Sequence, residues 1–181
     1  MDELKNILNL FSNASHNEED PTNLEIGGQG HLEAPVTNQL AFYLDPEGAH
    51  GFNDLVLMAL LETIEIKGGL ELECSPILEQ ATADKKRIDL ILIGTEWVIA
   101  CELKVRSKVA SPLEEYDKYL EDNFNNGPDK KEIHRYILAP NEIPVTYKNH
   151  YFNNSEFEWK ALTYTQISKA VKKRHTLQNS G

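Results

Sequence analysis

The stretch Arg87-Ile-Asp-Leu-Ile-Leu-Ile-Gly-Thr-Glu-Trp-Val-Ile-Ala-Cys-Glu-Leu-Lys104 decides how this chain reads. Two apolar runs flank Gly94-Thr95, a pattern that predicts two strands joined by a tight turn. Three charged residues, Asp89, Glu102 and Lys104, occupy strand positions that would otherwise be apolar. Glu102 and Lys104 are two apart, so an extended strand projects both from one face. Asp89 shares that face if the hairpin sets it opposite Ala100 or Glu102. A slip of one residue sets it opposite Cys101 and sends it to the other face. Burying carboxylates and an ammonium in a sheet is costly unless they pair or hold a metal. Two acids beside a lysine suit metal-assisted phosphodiester hydrolysis.

Outward from this hairpin the chain alternates helical and strand patterns. Leu4, Ile7, Leu8 and Phe11 have helical spacing, and a polar stretch with Gly27-Gly28-Gln29-Gly30 follows. Residues 1–30 therefore read as a short amphipathic helix and a linker, and residues 31–181 as the main domain. A helix is expected over Val36 to Tyr43, a turn at Asp45-Pro46-Glu47-Gly48, and a second helix over Asn53 to Ile66 ending at Gly68-Gly69. Strands are expected at Leu70 to Ser75, Ile88 to Ile93 and Trp97 to Val105. Ser111 as cap and Pro112 as first residue start a helix from Leu113 to Phe124. A strand at Ile133 to Leu138, another at Glu158 to Tyr164 and a helix at Gln166 to Arg174 complete the order. That order implies an α/β or α+β fold around a mixed sheet.

Composition sets the broad class. The 181 residues are 40% hydrophobic and 26% charged, ordinary for a globular domain. No apolar run approaches the roughly 20 residues of a membrane span, and the N-terminus lacks the layout of a secretory signal. The cytoplasm is the expected location. Cys74 and Cys101 both fall in strand-like segments and read as small buried hydrophobes rather than a disulfide or metal pair. The net charge of −11 argues against tight nucleic-acid binding, but the cations cluster. They gather at Lys104, Arg106 and Lys108, at Lys130, Lys131 and Arg135, and at Lys169, Lys172, Lys173 and Arg174.

This arrangement resembles the PD-(D/E)XK nuclease superfamily, with Asp89 at the position of the metal-binding aspartate and Glu102-Leu103-Lys104 at that of the (D/E)xK motif. The segment from Leu40 through Leu44-Asp45-Pro46 to His50-Gly51 and Asp54 is similar to an LDPxxxHG pattern in a bacterial and phage branch. Glu33 stands at that branch's helix-1 glutamate, Leu113 and Tyr116 at its crossover-helix leucine and tyrosine, and Leu162 to Ile167 at its closing signature. Pro112 departs from a common glutamine, and Ile88 stands where the proline of the superfamily's name would be.

The resemblance implies an α/β, restriction-endonuclease-like core in which a mixed sheet is flanked by helices. It implies a Mg²⁺-dependent nuclease, with Mn²⁺ as a substitute, acting on nucleic acid and DNA first. Asp89, Glu102, the Leu103 carbonyl and Glu33 would ligate the metal. Lys104 would position the attacking water or stabilise developing charge; beside two carboxylates it stays cationic. Glu102 with Lys104 also has a plainer reading, as an exposed charge pair, against which the flanking apolar residues argue. Glu73 reads equally as a further ligand or an exposed strand residue. His50 reads as a substrate contact or a loop staple, Asp54 as a site residue or a helix cap, and Tyr116 as core. The rival class is a non-catalytic adaptor whose first helix and acidic surface engage a protein partner. Cutting both strands of a duplex with one site per chain favours a homodimer.

Overall fold

The computed structural model describes residues 33–69, 71–104, 112–139 and 157–178. The helix expected over residues 1–11 and its linker lie outside them. Two helices open the described chain, α1 (Glu33–Leu44) and α2 (Leu55–Thr63). Three strands follow, β1 (Ile77–Ala81), β2 (Arg87–Ile93) and β3 (Trp97–Leu103). Helix α3 (Leu113–Leu120) runs on into a π-helical turn, Glu121–Asn125, before β4 (Glu132–Ala139). Strand β5 (Lys160–Thr163) leads directly into α4 (Tyr164–Gln178).

The strands form one mixed sheet in the order β1-β2-β3-β4-β5. The pairs β1–β2 and β2–β3 are antiparallel, whereas β4 pairs parallel with both β3 and β5. The parallel pair β3–β4 requires a crossover, and α3 supplies it. Helices cover both faces. Leu90, Leu92, Ile99, Cys101 and Leu138 pack against apolar residues of α1, α2 and α4. Ile91, Val98, Ala100 and Ile137 pack instead against Leu113, Tyr116 and Leu120 of α3. Strand β3 lies at the centre and is buried along its whole length, which is why its sequence is almost uninterruptedly apolar.

The hairpin turn between β2 and β3 owes its shape to Gly94. A Cβ there would meet the Trp97 ring at 2.3 Å, so no larger residue fits beneath the indole. Trp97 Nε1 in turn donates to the carbonyls of Gly68 (3.1 Å) and Gly69 (2.7 Å). The junction between β5 and α4 is a reciprocal cap. The Thr163 amide donates to Gln166 Oε1 at 2.8 Å and the Gln166 amide to Thr163 Oγ1 at 3.2 Å.

Three expectations fail. Residues 71–75 are not a strand: Leu72 forms a single bridge to Gly94. Beside it β2 has already ended at Ile93, and the β2 edge is taken by β1, which begins only at Ile77. Cys74, expected to be buried, is exposed because it falls in this segment outside the sheet, while Cys101 is buried as expected, and both are free thiols. The third failure is at α3, where Pro112 is the cap and Leu113 the first helical residue, one position later than the proline-first reading. Ser111 lies outside the described residues. Among the described residues no helix is long and apolar enough to cross a membrane.

Candidate active site

Strands β2 and β3 pair with Leu90 opposite Cys101 and Ile91 opposite Ala100. The paired residues end there; the register carried one step further is the one that brings Asp89 to Glu102 rather than to Cys101. The β1–β2 ladder passes over Asp89: Leu90 pairs Leu78 and Ile88 pairs Gln80, while Glu79 between them has a φ of 52°. Alternation also breaks here. Ile88 packs with Ile91 in the α3 layer, although Leu90 and Leu92 pack in the other. The irregularity falls on the aspartate.

Asp89 is held by the neighbouring strand. Its Oδ2 accepts a hydrogen bond of 2.7 Å from the Leu103 amide. The next amide, that of Lys104, points the other way and donates to the Leu138 carbonyl of β4 at 2.8 Å. The Asp89 carboxylate thus takes an amide that a regular ladder would give to a β2 carbonyl. Glu102, one residue before Leu103, is 4% exposed. Lys104 Nζ lies 2.7 Å from Glu102 Oε1, and its side chain is 12% exposed. This is not a solvated surface pair.

Tyr116 on α3 closes the group from above. Its hydroxyl donates to the Arg87 carbonyl at 2.5 Å and it is buried. Burial, then the charges of Glu102 and Asp89 and a hydrogen bond with Glu102, push the phenol far above its ordinary pKa. The hydroxyl's own bond goes to the Arg87 carbonyl, at the start of the strand that carries Asp89. The Cys101 thiol is pushed up to about 12, by burial first and the Asp89 charge second. Tyr116 thus lies within the field of both carboxylates and Cys101 within that of Asp89. Sequence reasoning assigned Tyr116 to the core, where it does pack; that it also stands beside the acids is hidden because core and site residues on one helix face share the same spacing. Its match to the crossover-helix tyrosine was the available signal.

The other candidates fall elsewhere. His50 is buried in the α1–α2 loop, where Nε2 donates to the Asp45 carbonyl at 2.7 Å and Nδ1 accepts from the Phe52 amide at 3.0 Å. Both ring nitrogens are used in holding that loop. Asp54 is exposed and precedes α2 without a side-chain capping bond. Glu73 pairs with Lys131 at 2.7 Å beside the β2–β3 turn, at the end of β2 away from Asp89. Glu33 is the first residue of α1; its side chain lies outside the described residues. Nor is the expected cation group at Lys130, Lys131 and Arg135 a surface patch. Lys131 also donates to the carbonyls of Gly94 and Thr95. Arg135 is buried between Asp117 (2.8 Å) and Glu121 (2.5 Å), an arrangement that pins α3 to β4.

A model of the PD-(D/E)XK nuclease superfamily matches residues 23–180. The chain belongs to this superfamily. No curated protein sequence matches it. The five-stranded mixed sheet with helices on both faces is consistent with the restriction-endonuclease-like core of PD-(D/E)XK proteins. Superfamily membership suggests nuclease activity, and its members are typically phosphodiester hydrolases that use divalent metals. The donor chemistry here fits such an ion: Asp89 and Glu102 offer hard carboxylate oxygens, with the Leu103 carbonyl between Glu102 and Lys104 in sequence. Among the described residues no group of three or more His, Cys, Asp or Glu gathers around one point.

Proposed function

We propose that this protein is a metal-dependent nuclease that hydrolyses phosphodiester bonds in nucleic acid, DNA foremost, at Asp89, Glu102 and Lys104. The observation that carries the reading is the Asp89 bond to the Leu103 amide, which ties one acid to the strand segment bearing the other acid and the lysine. Two carboxylates on neighbouring strands repel one another, and a divalent cation relieves that repulsion. Asp89, Glu102 and the Leu103 carbonyl would hold Mg²⁺ or Mn²⁺, with Glu33 as a further candidate. The ion supplies a polarised phosphate and a more acidic bound water.

The chain's own groups do the rest. Lys104, set by β3 beside Glu102, orients the attacking water and stabilises charge developing on the phosphate. The Tyr116 hydroxyl, bonded to the Arg87 carbonyl, anchors α3 to the start of β2 and so supports the segment that carries Asp89. The buried setting strengthens each of these interactions over its value in water.

Mn²⁺ titration by calorimetry tests the site. Wild type binds, and Asp89→Asn and Glu102→Gln each lose binding. Absence of binding in the wild type would contradict the reading and favour a protein-binding adaptor on the same fold, with which the net charge of −11 agrees.

A further inference from the structure

The tip of the β1–β2 hairpin carries a cation cluster that the sequence reading passed over: Lys85, Lys86 and Arg87, preceded by the acid Asp84. All four are exposed. Strand β2 begins at Arg87 and reaches Asp89 two residues later, so the hairpin projects from the end of the sheet that bears the acids. Arg87 is tied to the site directly, since its carbonyl accepts the Tyr116 hydroxyl. Its guanidinium meets Glu79 at 3.1 Å, in a pair that is 65% and 43% exposed. Such pairs are weak and exchange readily for another anion.

The turn is built in a way that does not favour a lysine. The Lys85 amide donates to the Thr82 carbonyl at 3.1 Å and the Thr82 amide to the Lys86 carbonyl at 2.8 Å. That is a three-residue hairpin loop, a type I turn followed by a residue in the left-handed region. Lys85 occupies that position, with a φ of 59°. Glycine is the residue that adopts it without strain. A strained side chain at the tip of an exposed hairpin beside a site points to use rather than packing.

We infer that the β1–β2 hairpin is a phosphate-backbone clamp: Lys85 and Lys86, with Arg87 released from Glu79, bind the nucleic-acid strand on one side of the scissile bond. The inference rests on the nuclease reading above. Lys86 lies three residues from Asp89, roughly 10 Å along the strand. At about 3.4 Å per nucleotide in a strand of duplex, this reaches a phosphate about two or three nucleotides from the reacting one. The contacts are to backbone, so they add affinity without sequence preference. They also account for how a chain with a net charge of −11 could hold a polyanion: the cations are concentrated where the strand passes.

The test uses the full chain carrying Glu102→Gln to block cleavage. Mixed-sequence fluorescent DNA and RNA oligonucleotides, duplex and single-stranded, are titrated by anisotropy over a range of KCl. Each lost phosphate contact lowers the slope of log K against log salt by about 0.9 on duplex and about 0.7 on a single strand. Lys85→Ala with Lys86→Ala is expected to lower it by about 1.4 to 1.8. In the otherwise wild-type chain the same pair raises KM and leaves kcat unchanged. Lys85→Gly separates binding from folding: it lowers the slope while raising Tm, because glycine relieves the turn. An unchanged slope in the double variant, with Lys172→Ala/Lys173→Ala on α4 lowering it instead, overturns the clamp and leaves the nuclease reading standing. A wild-type chain that neither binds nor cuts any of these substrates overturns both.

Discussion

The Asp89 carboxylate accepts the Leu103 amide at 2.7 Å, so a side chain of β2 fills a hydrogen-bonding position that belongs to the backbone ladder. Leu103 lies between Glu102 and Lys104, and the bond therefore sets the aspartate relative to both. It also separates the structural from the chemical part of Asp89. In Asp89→Asn the amide oxygen still accepts from Leu103, so the protein folds with stability close to wild type but loses metal binding and activity. Asp89→Ala removes the bond as well and costs about 1.5–3 kcal/mol, typical of a hydrogen bond to a charged group. Chemical denaturation of the two variants beside an activity assay checks this. Equal stability of both would show that the bond contributes nothing to folding.

Tyr116→Phe keeps the ring in the α3 layer and removes only the hydroxyl. The loss of its bond to the Arg87 carbonyl costs about 1 kcal/mol. With that anchor lost, the start of β2 holds Asp89 less firmly, and metal affinity or kcat falls by about 10- to 100-fold, the usual range for groups supporting a ligand. A variant as active as wild type, at every metal concentration tried, removes Tyr116 from the site and returns it to the core.

The hairpin and the acid–acid–lysine set were legible because charges inside an apolar strand stand out against it, and because register leaves only two choices of face. Strand β1 was not legible. Its sequence, Ile77-Leu-Glu-Gln-Ala81, lies at a sheet edge with every position half-buried or exposed, so no alternation marks it. Leu70-Glu-Leu-Glu alternates cleanly in sequence, yet the structure gives Leu72 a single bridge to Gly94 and the Glu73 amide one bond to the Ile93 carbonyl, at the very end of β2, where no strand edge continues. Tyr116 was hidden for another reason: helical spacing tells which face a residue occupies and nothing of what its hydroxyl touches. Lys131 and Arg135 looked like surface cations, but long basic side chains are drawn inward wherever carbonyls or acids await them.

The LDPxxxHG segment is a folding device in this structure. A Cβ on Gly48 would meet the His50 ring at 2.7 Å, so the glycine leaves room for the histidine that closes the loop. Gly48→Ala displaces the ring and costs about 1–3 kcal/mol, as overpacking does. His50→Ala leaves the Phe52 amide without its partner and takes one bond from the Asp45 carbonyl, which keeps the Gly48 amide at 2.9 Å; the orphaned amide costs about as much. Thermal unfolding measures both. A large loss of activity in His50→Ala with Tm unchanged would instead point to a substrate contact.

Alkaline pH should weaken the fold through buried neutral groups. Cys101 is raised from 9.0 to about 12 by burial and Asp89, and Tyr136 from 10.0 to about 12 by burial and Cys101. Both folded-state values exceed the unfolded ones, so the stability they contribute is complete below about pH 9. It is lost as pH rises from there through about 12, where the folded state must ionise too. Denaturation midpoints measured from pH 8 upward should fall, and fall less steeply in Cys101→Ala. The same burial predicts that a thiol reagent labels Cys74 on the native protein and leaves Cys101 untouched.

The measurement that bears most directly on the central claim is cleavage of mixed DNA and RNA substrates in Mg²⁺ or Mn²⁺ by wild type, Asp89→Asn and Lys104→Ala. Cutting by the wild type, abolished by EDTA and lost in both folded variants, is the predicted result. Cutting that persists in Asp89→Asn and Lys104→Ala, or its absence from the wild type on every substrate and metal tried, would contradict the assignment of this site.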